Sequence, residues 1–312
     1  MLRFIIRRLL TLIPVLFLVS ILVFVLIRLM PGGAAMAYLR SANIAPTDEA
    51  IAIANRELGL DQPVLIQYFK WLRDAIHLDL GMSYYGNKLV ADELAEAFGY
   101  TVWLTAAAFV WLAVISVPLG ILSARKPGGV IDHISRVIAF IGTSMPQFLL
   151  GFLLVLLFSM KLGLLPVFGA KKAVSVILPS FTLSLSFIAS YSRVLRNSIL
   201  ENMGKRYVLS GRARGLRERK IVLSHVLRNS LIPVISTLGV TFGHMLAGSV
   251  IVENVFAWPG MGRLLIDSVQ NRDFPVLQGY VLLMAVIFVA ANLLSDVLCA
   301  LINPQIRYEE AR

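Results

Sequence analysis

The chain has 312 residues, 58% of them hydrophobic and 15% charged, with a mean hydropathy of +0.79 and a formal net charge of +11. Soluble domains carry about 45 to 50% apolar residues, so the composition excludes an ordinary water-soluble domain and indicates an all-α integral membrane protein. The one cysteine, Cys299, excludes an internal disulfide framework and reads as a small buried hydrophobe.

Six apolar runs, each near the roughly 20 residues that a helix needs to cross a bilayer, predict transmembrane helices at 9–29, 100–124, 137–160, 173–192, 229–252 and 274–295. The first follows Arg3, Arg7 and Arg8 as a signal peptide would, but it is too long and no small-residue cleavage site follows it. Residues 30–99 are predicted to fold as a small external cap. Within it, Thr47 with Asp48 and Glu49 is a helix-start signal for a helix running to Leu58 and ended by Gly59. Val64 to Ile76 forms a second amphipathic helix with Leu65, Tyr68, Phe69, Leu72 and Ile76 on one face. The whole chain, 1–312, is expected to be one transmembrane domain, with residues 193–228 as its main loop on the basic side.

An even number of spans puts both termini on one side of the membrane. That side carries Arg3, Arg7, Arg8, Arg125, Lys126, Arg136 and a dense set between Arg193 and Arg228, against only Asp132, Glu201, Glu218, Glu309 and Glu310. The positive-inside rule makes it the cytoplasm. The same asymmetry makes the high pI an orientation signal and argues against nucleic-acid binding. Membrane lipid is the expected surrounding partner.

The segment Tyr207 to Pro233, YVLSGRARGLRERKIVLSHVLRNSLIP, is the densest basic stretch. Val222, Leu223, Val226 and Leu227 trace one apolar helical face, with Arg217, Arg219, Lys220 and Arg228 on the remainder. Gly215 permits a sharp turn between two short helices, the second lying parallel to the membrane. By charge density alone this is a solvated cytoplasmic loop.

In this segment Ser210, Gly211, Gly215, His225, Leu227 and the RNSLIP ending resemble the cytoplasmic loop of ABC-importer permeases, in the peptide and nickel family of binding-protein-dependent transporters. The general form of that motif has an acid where this chain has Leu209. The likeness extends over almost the whole chain, through LGLDQPVLIQYFKWL, LDLGMSY, SMPQFLLGFLL, KLGLLPVFG and ENVFAWPGMGRLLIDSVQNRDFPVLQGYVLL. After the first span the chain reads Pro31, Gly32, Gly33, Ala34, whereas family members often have Pro-Gly-Asp-Pro.

The resemblance implies the type I ABC importer permease fold in a bacterial inner membrane. It implies a second related permease, two ATPase subunits and an external substrate-binding protein. It also implies that Ser210, Gly211, Arg212, Ala213, Arg214, Gly215, Leu216 and His225 couple the ATPases to the pathway. The chain has no phosphate-binding G-x-x-x-x-G-K-[ST] loop, so ATP and Mg are expected in the partner ATPases, with no cofactor in this chain.

Candidate pathway residues are His244, Met245, Glu253, Trp258 and Asp296. A histidine inside a span marks a pathway by default, and imidazole with thioether suits nickel. A histidine bonded to a neighbouring helix is the simpler reading, because one His and one Met make no coordination sphere. YLRSANIAPTDEA, DQPVLIQY and ENVFAWPG resemble the nickel-import branch, so nickel or a nickel chelate is the expected cargo. Di- or oligopeptide is the alternative. A membrane-embedded enzyme is disfavoured because His244 and Asp296 lie at different depths and complete no catalytic set. A gradient-driven carrier is disfavoured because Pro14, Pro118, Pro146 and Pro179 mark no pair of corresponding broken helices.

Overall fold

The computed structural model describes the backbone of residues 2–30 and 32–302, with side chains at 13–30, 32–246, 249–294 and 297. Thirteen α-helices follow one another among the described residues, and no strand is formed beyond a single bridge between Met82 and Leu89. α1 (Leu2–Arg28), α2 (Gly33–Ser41), α3 (Asp48–Glu57) and α4 (Val64–Ile76) precede the 36-residue α5 (Val90–Arg125). Then come α6 (Val130–Ser144), α7 (Gln147–Leu154) with a π-helical continuation Val155–Lys161, and α8 (Ile177–Met203). α9 (Arg206–Ala213), α10 (Glu218–Lys220), a π-helical turn Ile221–Val226, α11 (Leu227–Val255), α12 (Met261–Asn271) and α13 (Phe274–Ile302) complete the chain.

Four of these helical stretches are long and apolar enough to cross a membrane, and six if each of two bent pairs counts as one span. One bent pair is α6 with α7 and its continuation, inside the run that the sequence presents as one span at 137–160. There the chain turns by 112°. Pro146 is the cause. It offers no amide hydrogen to continue the helix, and it holds Met145 in extended backbone, φ −89° and ψ 128°.

The described residues form two compact units. One joins residues 1–101 with 259–290. Its core packs Val90, Leu94 and Ala97 of α5 against Met261 of α12 and against Val276 and Tyr280 of α13. A second cluster sets Val23 and Ile27 of α1 against Ala37 of α2 and Phe274 and Leu277 of α13. The start of α3 follows its sequence signal, since Thr47 Oγ1 accepts from Ala50 N at 3.2 Å. α4 departs from its expected packing. Of the predicted face only Tyr68 is buried, while Leu65, Phe69 and Ile76 are exposed.

The other unit joins residues 102–258 with 291–312 and is organised around α8. Gly142 of α6 meets α8 so closely that a Cβ there would lie 2.9 Å from Leu185 O and 3.0 Å from Ala189 Cβ. On the α11 side, Tyr191 Oη and Thr241 Oγ1 are 2.6 Å apart, and Thr237 Oγ1 donates to Tyr191 Oη at 3.1 Å. Trp111 of α5 donates to Ser180 Oγ at 3.2 Å.

In the first unit, the loop before α5 is tied to the start of α13 by the buried carboxylate of Asp273. It accepts from Ser83 Oγ (2.6 Å), Tyr84 N and Tyr85 N (both 3.2 Å) and Val276 N (3.4 Å). Burial first, then the charge of Asp273 and the ionisable hydroxyl of Tyr38, push the Tyr84 hydroxyl up to about 12. Its folded value is raised, so the stability it contributes is present below the ordinary tyrosine value of about 10 and is lost as pH climbs toward 12. Asp273→Ala leaves three loop donors unpaired, and each costs roughly 1 to 3 kcal/mol. We predict a lower thermal midpoint in detergent and proteolysis concentrated at 79–89, whereas Asp79→Ala, at an exposed position, leaves the midpoint near wild type.

Candidate functional site

The basic segment begins where α8 ends at Gly204. α9 runs to Ala213, Gly215 N donates to Arg212 O at 2.9 Å, and Leu216 N donates to Gly211 O at 3.1 Å. Gly215 takes φ +71°, in the left-handed region where only glycine is unstrained, and this lets the chain reverse. Its neighbour in the motif is small for a different reason. A Cβ on Gly211 would stand 3.3 Å from Ile221, so the missing side chain lets the two arms of the turn close on each other. Arg212 Nε bonds Glu218 Oε1 at 2.6 Å across the reversal.

The second arm is not a separate short helix. From Glu218 the backbone stays helical without a break through α10, the π turn and α11 to Val255. The wider π turn also changes which residues face inward. Ile221 and Val226, five apart, are buried, while Leu223 of the predicted apolar face is 46% exposed. A period of 3.6 applied across this stretch correctly includes Val226, finds Val222 and Leu227 that are half-buried, and misses Ile221. Ser210, Arg212, Ala213, Arg214, Gly215 and His225 are exposed, Leu216 is half-buried and Gly211 is buried. The result is a cationic knuckle, with Leu209 and Leu223 exposed among its charges.

At the same end of this unit α6 is tied to α8 by a fully buried carboxylate. Asp132 accepts from Arg196 Nε and Nη2 at 2.7 and 2.9 Å, from Arg136 Nη2 at 2.8 Å and from Gly128 N at 2.8 Å. The two-pronged Arg196 contact fixes orientation as well as distance. Sequence reading placed Asp132 only as one acid among many bases, because its partner lies 64 residues away.

The predicted pathway residues are not gathered in one place. His244 is exposed on α11, whereas its neighbour Met245 is fully buried, so the imidazole and the thioether do not share a site. Glu253 and Trp258 are enclosed, with Trp258 N donating to Glu253 O at 2.8 Å, and they line no open face of the chain. Asp296 lies in α13, but its side chain falls outside the described residues. Among the described residues no three of His, Cys, Asp and Glu are grouped to hold a metal ion. What does emerge is a stripe along α11: Pro233, Thr237, Val240, His244, Ile251 and Asn254 are all exposed. Their spacing of four, three, four, seven and three residues follows one helix face and was available in the sequence. Beside Thr237 stand the Tyr191 and Thr241 hydroxyls.

Residues 116–308 match the family described as "Binding-protein-dependent transport system inner membrane component", and residues 1–105 match the N-terminal component of the same systems. The glutathione transport system permease protein GsiC of Escherichia coli O6:H1 is 43% identical over 309 residues, covering 99% of this chain and all of the relative. GsiC of Escherichia coli K12 is 42% identical over the same length. Among solved structures, a chain of the inward-facing MetNI methionine ABC transporter in its CY5 native crystal form matches 67% of this chain and 96% of its own length. The TM-score is 0.54 at 18% identity, a likeness of fold.

Removal of Asp132 strands Arg196, which is mostly buried, and frees Arg136, whose side chain is 59% exposed. Asp132→Ala is expected to lower the unfolding midpoint by several degrees and Arg136→Ala by much less. Thermal unfolding of the purified chain in detergent measures both.

Proposed function

This chain belongs to the family of inner-membrane permeases of binding-protein-dependent ABC importers, and from that membership we propose that it forms half of a pathway for a small peptide, glutathione or a close analogue. The observation that carries this reading is the identity of 43% to a glutathione permease along essentially the full length of both chains. The sequence motifs favoured nickel. The relatives reported above favour the peptide alternative, and the separation of His244 from Met245 agrees with them.

On this reading the other half of the pathway is a second, related permease. A binding protein delivers the peptide from outside, and two ATPases on the inner side bind ATP and Mg. The basic bias of the 193–228 side puts the knuckle around Gly215 in the cytoplasm. There its cations and the exposed Leu209 and Leu223 dock in the ATPase. Closure of the motor on ATP pushes the knuckle, and the push reaches the pathway by two routes. One is α9 into α8. The other is the unbroken helix from Glu218 through the stripe that carries Thr237 and His244. No acid, base and nucleophile set is needed, because the work done on the cargo is conformational. The mixed hydroxyl and imidazole stripe supplies hydrogen-bonding groups suited to a peptide's amides and carboxylates.

Liposomes holding the complete transporter and its binding protein are expected to take up labelled glutathione with ATP, and excess nickel should not compete. ATP-dependent nickel uptake that peptides leave unchanged would overturn the peptide reading. No atom beyond its chain neighbours lies within 4 Å of a Cβ at Gly215, so the main effect of Gly215→Val is backbone strain at this left-handed position, roughly 1 to 2 kcal/mol or more for a β-branched residue. We predict that the complex assembles, hydrolyses ATP and loses most transport. Wild-type transport by this variant would remove the knuckle from the mechanism.

A further inference from the structure

We propose that α4 is an interfacial helix, resting its exposed apolar stripe in the outer leaflet of the lipid bilayer alongside α1. The observations come from one unit of the chain. On one side α4 packs on α1: Tyr68 lies 5.2 Å from the Phe24 ring and 6.2 Å from the Phe17 ring, and its hydroxyl is 2.8 Å from Ser20 Oγ. Trp71 meets Phe24 at 5.6 Å, and Arg28 donates to Gln67.

Depth follows from these partners. Ser20 precedes Arg28, the charge at the outer end of the apolar run, by eight residues, or about 12 Å of helix. Tyr68 is too short to reach that far down from above the headgroups, so α4 sits at the level of the outer hydrocarbon boundary. At that level Leu65, Phe69 and Ile76 are 71%, 59% and 72% exposed. Their stripe lies next to the Tyr68 contact on the helix circumference, at 100° per residue, and around the level of that contact α1 exposes Phe17, Leu18 and Ile21 as well.

The other side of α4 carries Gln67, Lys70, Arg73 and Asp74. Lys70 Nζ bonds Gln62 at 2.9 Å, and Arg73 pairs with Asp74 at 3.0 Å. An apolar stripe bearing an aromatic, opposed by Lys and Arg, is the pattern of a helix lying in the membrane interface. Lipid is the occupant that suits both the depth and the apolar residues that α1 exposes around the same level. A helix seated this way would fix the height of the cap above the membrane, where the binding protein arrives.

The test places nitroxide labels at Leu65, Phe69 and Ile76, and at Lys70 and Arg73 as polar-face controls, each as a single cysteine in a Cys299→Ser background. The full transporter is held in lipid nanodiscs, and each labelled protein is used only where ATP hydrolysis is retained. Collision rates with oxygen, which concentrates in lipid, are compared with those of water-soluble chromium oxalate. The stripe positions are expected to show a several-fold higher ratio of oxygen to oxalate collisions than the controls, unchanged when binding protein is added. Equal ratios on both faces would overturn the proposal, showing the stripe in water. Protection from both reagents, or protection only with binding protein, would also overturn it, showing a protein contact in place of lipid.

Discussion

Inside hydrocarbon a backbone amide or carbonyl has no water to bond, so a chain can cross only as an unbroken helix or where other protein groups satisfy the break. That constraint organises this molecule. It is met most completely in the run from Glu218 to Val255, where α10, a π turn and α11 follow without interruption although Pro233 lies within them. The consequence is mechanical. The basic knuckle that must stay in water leads at Glu218 into the same helix that carries Thr237 and His244, so on the proposed mechanism a displacement at that end meets no break in the helix.

α8 gives the other route its stiffness. Close approach at Gly142 sets α6 against it, Tyr191 bonds it to α11, and Asp132 holds Arg196 with two hydrogen bonds near the end that leads into α9. These are contacts of different kinds, steric, hydroxyl and ionic, spread along one helix. A force applied at α9 therefore meets a packed group of helices. Met145 and Pro146 mark the opposite case, where α6 gives way to α7 at a steep angle.

Much of this was legible in the residues. The apolar runs announced the helices, Thr47 announced the start of α3, and Gly215 announced a reversal that the backbone makes at φ +71°. The family was legible as well, in the register of Ser210, Gly211, Gly215 and His225. The rest was hidden for identifiable reasons. The Asp132 to Arg196 bond joins residues that no local pattern relates. A π turn adds Ile221 to the buried face beside Val226 of the predicted set and leaves Leu223 exposed. The periodicity of α4 correctly marked an apolar face, but periodicity cannot say what covers it, and most of that face is left outside the chain's own core. Cargo was the weakest inference because one histidine and one methionine, adjacent in sequence, project to different sides of α11.

The most direct measurement is the distance between nitroxide labels at Arg219 and Asn254, both exposed and near opposite ends of the continuous helix. It should be read in the complete transporter without nucleotide and again with ATP trapped. A rigid connection predicts one narrow distribution near about 50 Å, from 1.5 Å per residue, the same in both states. A distribution that shortens or splits on ATP binding would place a joint within the helix, at the π turn or at Pro233, and would contradict transmission through a single rod.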